Sequence, residues 1–277
     1  MSDYPYVSGP SAESDPALAG LLEQLQQRHN GAICATLLYG SCLRSGDLYD
    51  GLLDLYLICD NYSAAYGRSL LAMGNWVLPP NVFYAEHTYE GRTLRSKVTV
   101  ISLRDFHRGS STSTFESYIW GRFAQPTLIL YARNEEVRRE VENCLLQAVR
   151  TLLHNAVPAL PETGAVSALW TNALALSYAT ELRTERSGRA TELSRYAQDF
   201  YTELTLGQAD SLGFEFVLNE NAGELYYTSH VSTMRRRKTR GAWFVRRAQG
   251  KLLSILRLLK ALFTFEGGLD YIAWKLE

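Results

Sequence analysis

The amino-acid sequence predicts a mixed α/β (α+β) fold, in which a sheet is flanked by helices and followed by a mainly helical C-terminal region. Two short apolar runs, 32–39 and 52–59, have the length and continuity of strands that are buried on both faces. Two further strand patterns, 82–88 and 97–102, are separated by the turn signal Glu90-Gly91. Strands interspersed with helical patterns predict a mixed sheet with helices packed against it.

The first helix is marked at both ends. Asp15 is a natural N-cap, Pro16 suits the first helical position, and Asn30-Gly31 supplies a left-handed stop, so we expect a helix over 15–29. Helical patterns follow at 115–123, 135–156, 165–183, 190–205 and 244–265.

A domain boundary is expected near residue 160. Pro158, Pro161 and Gly164 interrupt the chain there, and the patterns that follow are mostly helical. We therefore expect a sheet domain over 1–158 and a helical domain over 159–277.

Composition excludes several classes of protein. Of the 277 residues, 46% are hydrophobic and 21% are charged, as in a globular chain rather than a disordered one. The formal net charge of −1 provides no overall field for nucleic acid or an anionic membrane, so any such attraction must come from a local patch. The four cysteines have no CxxC spacing, which argues against a zinc site or a disulfide framework and favours a reducing cytosol.

Targeting and membrane-spanning segments are not predicted. The N-terminus has neither a basic and apolar signal segment nor an Arg-rich amphipathic presequence. The longest stretches without charge, 69–85 and 163–180, contain Gly, Asn, Pro, Ser or Thr and fall short of about 20 apolar residues. We expect a cytoplasmic protein that does not span a membrane.

The stretch most informative about chemistry is Gly40-Ser41, at the end of the first predicted strand, followed by Asp54 on the second. Gly40 would let backbone N–H groups approach a polyphosphate, Ser41 adds a hydroxyl donor, and Asp54 could hold a Mg²⁺ that bridges the phosphates. This combination predicts a nucleotidyltransferase site, although Tyr56 stands where such sites carry a second acid. The alternative is a simple strand-end turn beside an edge acid.

Several segments together resemble one family. Tyr39-Gly40-Ser41, with Leu53-Asp54-Leu55 and Asp60, resembles motifs of the mitochondrial translocator-assembly-and-maintenance type CDP-diacylglycerol synthases. Further similar segments, in the same order, are 81–84, Lys97 with 100–102, 120–126, and 176–178 with Glu181 and Arg183. The chain departs from the family at Cys42, where a glycine is usual, and at Glu181, where an Asp is usual. Beyond residue 183 the likeness is weak.

The resemblance implies a Mg²⁺-dependent phosphatidate cytidylyltransferase. Such an enzyme transfers CMP from CTP to phosphatidic acid and forms CDP-diacylglycerol and pyrophosphate for phospholipid synthesis. The preference for cytosine follows from the resemblance alone, and the absence of an import signal suggests a bacterial relative.

The site residues expected on this basis have distinct roles. Asp54 is expected to be the magnesium ligand, and Asp54, Lys97 and Glu181 are the expected catalytic residues. Gly40, Ser41, Lys97 and Arg122 bind the nucleotide, the two cations through phosphate oxygens. We expect the active site in the cleft between the two domains.

The missing second acid is consistent with a phosphate acceptor. A hydroxyl nucleophile has to be deprotonated, whereas a phosphate monoester with a second pKa of about 6 is already largely ionised near neutral pH. Placing and neutralising two anions is then the main task of the site.

Two other acids leave alternatives open. Glu181 would lie one turn after Tyr178 on the predicted helix, where it could meet the metal or the second substrate, or belong to an ordinary helix-surface network with Glu185. Asp60 could support the site or cap the turn before Tyr62, and the turn is favoured.

A basic segment follows near the C-terminus. Residues 235–260 contain ten Lys or Arg and no acid, and Leu252, Ile255 and Leu259 fall on one side of a helical wheel. We expect this helix to bind an anionic membrane surface at the inner face of the cell membrane, with Trp243, Phe244, Tyr271 and Trp274 at headgroup level. The expected contact residues are Arg235, Arg236, Arg237, Lys238, Arg240, Arg246 and Arg247. Packing of the leucines on the domain core, or RNA contact, are the alternatives.

Two rival functions remain at this stage. One is a nucleotidyltransferase acting on a soluble acceptor such as tRNA or a small metabolite. The other is a non-catalytic member of the fold that binds lipid or RNA. Nucleic acid is not the expected partner.

Overall fold

A computed structural model describes residues 4–182, 188–221 and 223–264, with the backbone alone for 262–264. Its contacts divide the chain into two compact units whose segments interleave along the sequence. The sheet unit contains Val7–His107, Thr127–Val141 and the chain from Leu256 onward. The helical unit contains the chain up to Tyr6, Arg108–Pro126 and Glu142–Ile255.

The helices are α1 Pro16–Arg28, α2 Ser41–Ser45, α3 Tyr62–Tyr66, α4 Leu70–Val77, α5 Leu103–Ser110, α6 Trp120–Phe123, α7 Glu135–Ala156, α8 Val166–Tyr178, α9 Arg189–Tyr196, α10 Gln198–Gln208 and α11 Thr233–Thr264. The strands are β1 Ile33–Tyr39, β2 Leu53–Cys59, β3 Asn81–Tyr89, β4 Arg92–Ser102, β5 Leu128–Ala132, β6 Thr163–Ala165, β7 Glu215–Asn221 and β8 Glu224–His230.

The sheet unit is built on a five-stranded mixed sheet in the order β3-β4-β2-β1-β5. The β2–β4 pair is parallel, and the other pairs are antiparallel. Leu55 of β2, Phe83 of β3 and Val98 of β4 lie in one buried cluster with Leu18 and Leu21 of α1. The predicted mixed α/β architecture with flanking helices is therefore confirmed.

The end signals of α1 work as predicted. Asp15 adopts an extended conformation and its carboxylate accepts a hydrogen bond from the Leu18 N–H, while Asn30 and Gly31 both have positive φ. The turn between β3 and β4 is also as predicted, with positive φ at Glu90 and Gly91. Both predictions succeeded because they rested on local chemistry.

The predicted helix over 115–123 is largely wrong, because only the four residues of α6 are helical. Side chains occupy the carbonyl groups that would have to accept intrahelical bonds before α6. The Trp120 indole donates to the Thr114 carbonyl, and the Arg246 guanidinium donates to the Phe115 carbonyl. The short helices α2, α3, α4 and α5 and the short strand β5 were also not predicted from the sequence.

The helical unit matches the predicted mainly helical C-terminal region, with one addition. A three-stranded antiparallel sheet in the order β6-β8-β7 lies within it and was not predicted. The predicted helix over 190–205 is divided at Ala197 into α9 and α10. The predicted helix over 165–183 ends as α8 at Tyr178, and Arg183 lies outside the described residues.

The long helix α11 begins at Thr233 rather than at Phe244. Ser232 supports this earlier start, since its hydroxyl accepts a hydrogen bond from the Arg235 N–H. Tyr271 and Trp274, the predicted headgroup-level aromatics, lie outside the described residues. Within the described part of the chain, no helix combines the length and the apolar character needed to cross a membrane.

Candidate functional site

A row of four side chains crosses the sheet unit on the face opposite α1. Tyr39 of β1 pairs with Asp54 of β2, Asp54 pairs with Lys97 of β4, and Lys97 pairs with Tyr84 of β3. Directly paired residues project to the same face of a sheet. Because Leu38, Leu55, Val98 and Phe83 alternate with this row and are buried in the cluster with α1, the row must point the other way.

Asp54 and Lys97 form the charged centre of this row. The Lys97 Nζ lies 3.8 Å from Asp54 Oδ1, and their side chains are 41% and 26% exposed. The pair is therefore accessible to a ligand while remaining partly shielded from water. Two of the predicted site residues, on strands 43 positions apart in sequence, are brought together by the parallel β2–β4 pairing.

Gly40 is the point where the backbone comes closest to this carboxylate. Its φ of 91° and ψ of −154° belong to a region that glycine alone adopts readily. A Cβ at position 40 would lie 2.7 Å from Asp54 Oδ2. Position 40 therefore requires glycine for two reasons within the fold, its backbone angles and its closeness to Asp54, besides the predicted approach to a phosphate.

Ser41 opens α2 directly after Gly40, and its side chain is exposed. The next residue, Cys42, is buried and donates from its thiol to the carbonyls of Asp50 and Leu52. Burial, followed by the charge of Asp54, raises the pKa of the Cys42 thiol. Cys42 therefore anchors the loop between α2 and β2 and does not supply a thiolate nucleophile.

Tyr56 occupies the position of the missing second acid. It lies two residues beyond Asp54 on β2, and so on the same face of the sheet. Its side chain is fully buried, with its ring centroid 5.8 Å from that of Tyr39. An aromatic pair thus fills the space where a second carboxylate would stand.

The donor set has limited capacity for a metal ion. Among the described residues, no group of three or more His, Cys, Asp or Glu side chains is placed to hold one. The single carboxylate of Asp54 is enough for Mg²⁺, because this ion usually takes one or two carboxylates and completes its shell with water and substrate phosphates. The site therefore fits a magnesium ion that binds together with a nucleotide, and does not fit a metal held by protein groups alone.

Arg122 and Glu181 are brought together in the helical unit. Arg122 donates to Glu181 Oε1 at 3.1 Å and to the Tyr118 hydroxyl at 3.1 Å, and it lies over the Tyr118 ring. Glu181 follows the end of α8 instead of continuing a helix after Tyr178, so the predicted helical neighbourhood of this acid is wrong. The carboxylate of Glu181 instead balances the charge of Arg122.

Asp60 lies away from the Asp54–Lys97 pair. It receives two hydrogen bonds from the Arg133 guanidinium, at 2.7 and 3.0 Å, and this pairing raises the pKa of Arg133. The favoured reading of Asp60 as a cap is wrong, because the neighbouring Asn61 caps α3. Asp54 and Asp60 lie near opposite ends of β2, about 20 Å apart at the usual rise of a strand. They cannot share one metal ion.

The predicted membrane-binding cations divide into those that protein groups hold and those that remain exposed. Arg246 is 3% exposed and surrounded by the rings of Phe115, Trp120 and Trp243. Its guanidinium donates to the Phe115 carbonyl and to Asn155 Oδ1. Because it is buried, Arg246 does not face a membrane, and its prediction as a lipid contact is corrected.

Two further cations of this set are held by protein groups. Arg235 donates to the Gly213 carbonyl and lies over the Phe214 ring, and Arg236 donates to the Leu160 and Ser229 carbonyls and pairs with Glu162. The exposed members of the predicted set are Arg237, Lys238, Arg240 and Arg247.

No functional role was predicted for the polar residues beside Lys97 on the β3–β4 hairpin. Tyr84 donates to Glu86 Oε2 at 2.7 Å, and Glu86 lies 4.0 Å from the Arg95 Nε. Burial, followed by Glu86, raises the pKa of Tyr84. The signal was available, because the two-residue turn Glu90-Gly91 fixes the pairing that places Tyr84 opposite Lys97.

Comparison with known proteins gives no sequence match and a loose structural likeness. No protein-family model matches the sequence, and no curated protein matches it significantly. Among solved structures, a nucleotidyltransferase-like protein from Exiguobacterium sibiricum 255-15 aligns with 78% of this chain and 99% of that chain. The two share 9% identity at a TM-score of 0.31. A likeness this loose does not establish a common function.

Proposed function

We propose that the protein is a nucleotidyltransferase and, more narrowly, that it transfers CMP from CTP to phosphatidic acid. The observation that carries the proposal is the Asp54–Lys97 pair beside the glycine turn at Gly40. A carboxylate and an ammonium side by side provide one group for a magnesium ion and one for phosphate oxygens. The motif resemblance supplies the lipid acceptor and the cytosine base.

The chain's own residues would act mainly by positioning and charge. Asp54 would hold the magnesium ion that accompanies the nucleotide, and this ion would neutralise charge on the phosphates. Lys97 would then be released from Asp54 and donate to phosphate oxygens. Gly40 leaves the backbone free of a Cβ beside Asp54, where the triphosphate would have to approach.

The acceptor proposal is supported by the buried Tyr56. Its aromatic ring occupies the position on β2 from which a second acid could take a proton from a hydroxyl group. A phosphate monoester needs no such base, because it is largely ionised near neutral pH. Its phosphate oxygen would attack the α-phosphorus of CTP, forming a P–O bond as the bond to pyrophosphate breaks.

The test is transfer of label from α-labelled CTP into a lipid-extractable product, with magnesium and vesicles that contain phosphatidic acid. The wild type should form labelled CDP-diacylglycerol, and Asp54→Asn should lose at least about 1000-fold in rate if Asp54 is the metal ligand. Asp50→Asn is the matched control, since it removes an exposed acid of the adjacent loop. Circular dichroism should show that all three proteins are folded.

The other outcomes identify what has failed. Magnesium-dependent binding of CTP without labelled lipid would overturn phosphatidic acid as the acceptor and point to a soluble one. Absence of any nucleotide-induced stabilisation in a thermal melt would overturn the nucleotidyltransferase proposal and favour a non-catalytic protein. Equal activity of the wild type and Asp54→Asn would show that Asp54 is not part of the active site.

A further inference from the structure

An exposed apolar face on α4 is unusual for a short helix of a folded protein. Leu70, Met73, Trp76 and Val77 are 78%, 58%, 66% and 67% exposed. Their spacing of three and four residues places them on one side, while Ala72 and Asn75 point inward and Asn75 donates to the Val100 carbonyl. Large apolar side chains gathered on one exposed face generally mark a binding surface.

The end of α11 is bound to the chain just beyond this face, within the sheet unit. Lys260 donates to the carbonyls of Leu78 and Pro80, and Arg257 donates to the carbonyl of Pro79, so both cations bind the segment that follows α4. Leu258 and Leu259 lie on the opposite side of α11 and are 58% and 51% exposed, whereas Leu256 lies one turn before Lys260 on its face. We call Leu258, Leu259 and the four apolar residues of α4 the apolar patch.

Charge identifies the kind of partner. Neither segment that carries the patch contains an acid: there is no Asp or Glu between Asp60 and Glu86, or between Glu224 and Glu266, in a chain with 29 acids. The exposed Arg68, together with Arg257 and Lys260, leaves only positive charge on these two segments. This charge distribution favours a partner that is both apolar and anionic.

We propose that the apolar patch docks this protein on an anionic phospholipid bilayer. With eight residues, α4 is about 12 Å long, which suits a helix lying in the interface and not one crossing it. Trp76 supplies the amphipathic ring that favours headgroup level, and the exposed Arg68 meets anionic headgroups. A second copy of the chain fits less well, because a two-fold contact sets the patch against itself and brings like charges together.

This proposal shares the leucines of α11 with the membrane contact predicted from the sequence, which lay on the segment 235–260, and adds the exposed face of α4. It deepens the proposed function by naming the surface that would bring the protein to a lipid acceptor, but docking can be measured without catalysis. Trp76 is also a built-in probe. In a Trp274→Phe background the remaining indoles besides Trp76 are those of Trp120, Trp170 and Trp243, which are buried, so lipid contact at Trp76 should shift fluorescence to shorter wavelength.

The experiment measures binding of the full chain to vesicles of phosphatidylcholine with phosphatidylglycerol, by sedimentation and by Trp fluorescence. These vesicles contain no phosphatidic acid and no CTP is added, so failure here is distinct from failure of the transfer reaction. The double variant Leu70→Gln and Val77→Gln should bind at least about ten-fold more weakly, because two large apolar groups no longer leave water. Pure phosphatidylcholine vesicles should bind the wild type less tightly.

The matched control is Leu206→Gln with Val217→Gln, which changes two exposed apolar residues of the helical unit. Its vesicle binding should equal that of the wild type, and thermal melts should be alike for all three proteins. Equal loss in both double variants, or none in the α4 variant, would overturn the proposal. So would dimerisation without vesicles that the α4 substitutions abolish, because a second copy would then cover the patch.

Discussion

The sheet unit and the helical unit each contain cations that the sequence marked as functional, and they use them differently. In the sheet unit, Lys97 lies beside Asp54 on a sheet face, and both side chains remain partly exposed. In the helical unit, Arg246 is enclosed by three aromatic rings and is 3% exposed. The comparison teaches that burial and neighbours, not residue type, decide whether a cation is available to a ligand.

The two cations also differ in how their charge is balanced. Lys97 faces a carboxylate, whereas the groups around Arg246 are two neutral acceptors and three rings. Among the described residues, Arg246 Nη1 has no hydrogen-bond partner. Burial lowers the pKa of Arg246 to about 10, so the group remains charged at neutral pH and its desolvation opposes folding.

The largest expected effect is a loss of transfer activity, with little loss of stability, on substitution of Lys97. Lys97→Met should lower kcat/KM for CMP transfer by at least about 100-fold, because a cation aimed at phosphate oxygens is lost. The free energy of unfolding should change by less than about 1 kcal/mol, since a half-exposed ion pair contributes little. Transfer assays and urea unfolding measure the two quantities. A large loss of stability with unchanged transfer would make Lys97 a structural residue.

Arg246 should show the reverse pattern. Arg246→Ala should destabilise the protein by about 3 kcal/mol, because it leaves a cavity between the rings and two unmatched acceptors. Arg246→Met should recover more than half of this loss, since an apolar chain of similar length fills the space without a buried charge. Urea unfolding checks both variants. If Met were no better than Ala, the hydrogen bonds and not the packing would dominate.

A substitution at Gly40 tests the close approach of its backbone to Asp54 in the sheet unit. Gly40→Ala should cost about 2 kcal/mol, because it combines positive φ with a Cβ only 2.7 Å from Asp54 Oδ2. In an Asp54→Ala background the same change should cost less, since the carboxylate is gone and only the backbone strain remains. A double-mutant cycle of unfolding free energies measures the difference. Strict additivity would show that the two residues do not contact each other.

Two histidines give an effect that appears only at acid pH and sharpen the comparison. His29 of the sheet unit packs against Tyr66 and Phe83, and its Nδ1 lies 3.4 Å from the Ala65 carbonyl. Burial, opposed by that hydrogen bond and reinforced by the charge of Arg28, lowers the pKa of His29 to about 4. The unfolded chain therefore binds a proton below about pH 6.5 that the folded protein does not take up until about pH 4.

Stability should accordingly fall as the pH drops from about 6.5, by about 2 kcal/mol at pH 5. His29→Gln should remove this part of the pH dependence. His154→Gln in the helical unit should remove less, because His154 is only half-buried, although burial also lowers its pKa. Urea unfolding at several pH values measures the slopes. Identical slopes for the wild type and His29→Gln would show that other groups cause the acid sensitivity.

Much of the local structure could be predicted from the sequence. The limits of α1 follow from Asp15 and Asn30-Gly31, because caps and left-handed residues act within a few positions. The β3–β4 hairpin follows from Glu90-Gly91 in the same way. The failures occurred where distant side chains competed for the backbone, as at Phe115, whose carbonyl is bonded by Arg246 from 131 positions away.

The candidate site shows the same division. The sequence by itself determined the chemistry of Gly40, Ser41 and Asp54, since their type and spacing around two apolar strands can be inspected directly. Only the tertiary structure placed Lys97 beside Asp54, separated Asp60 from both, and enclosed Arg246, because strand pairing and burial depend on contacts between remote segments. Local propensity specifies which groups are present, and desolvation and pairing in the folded chain decide which of them can meet a ligand.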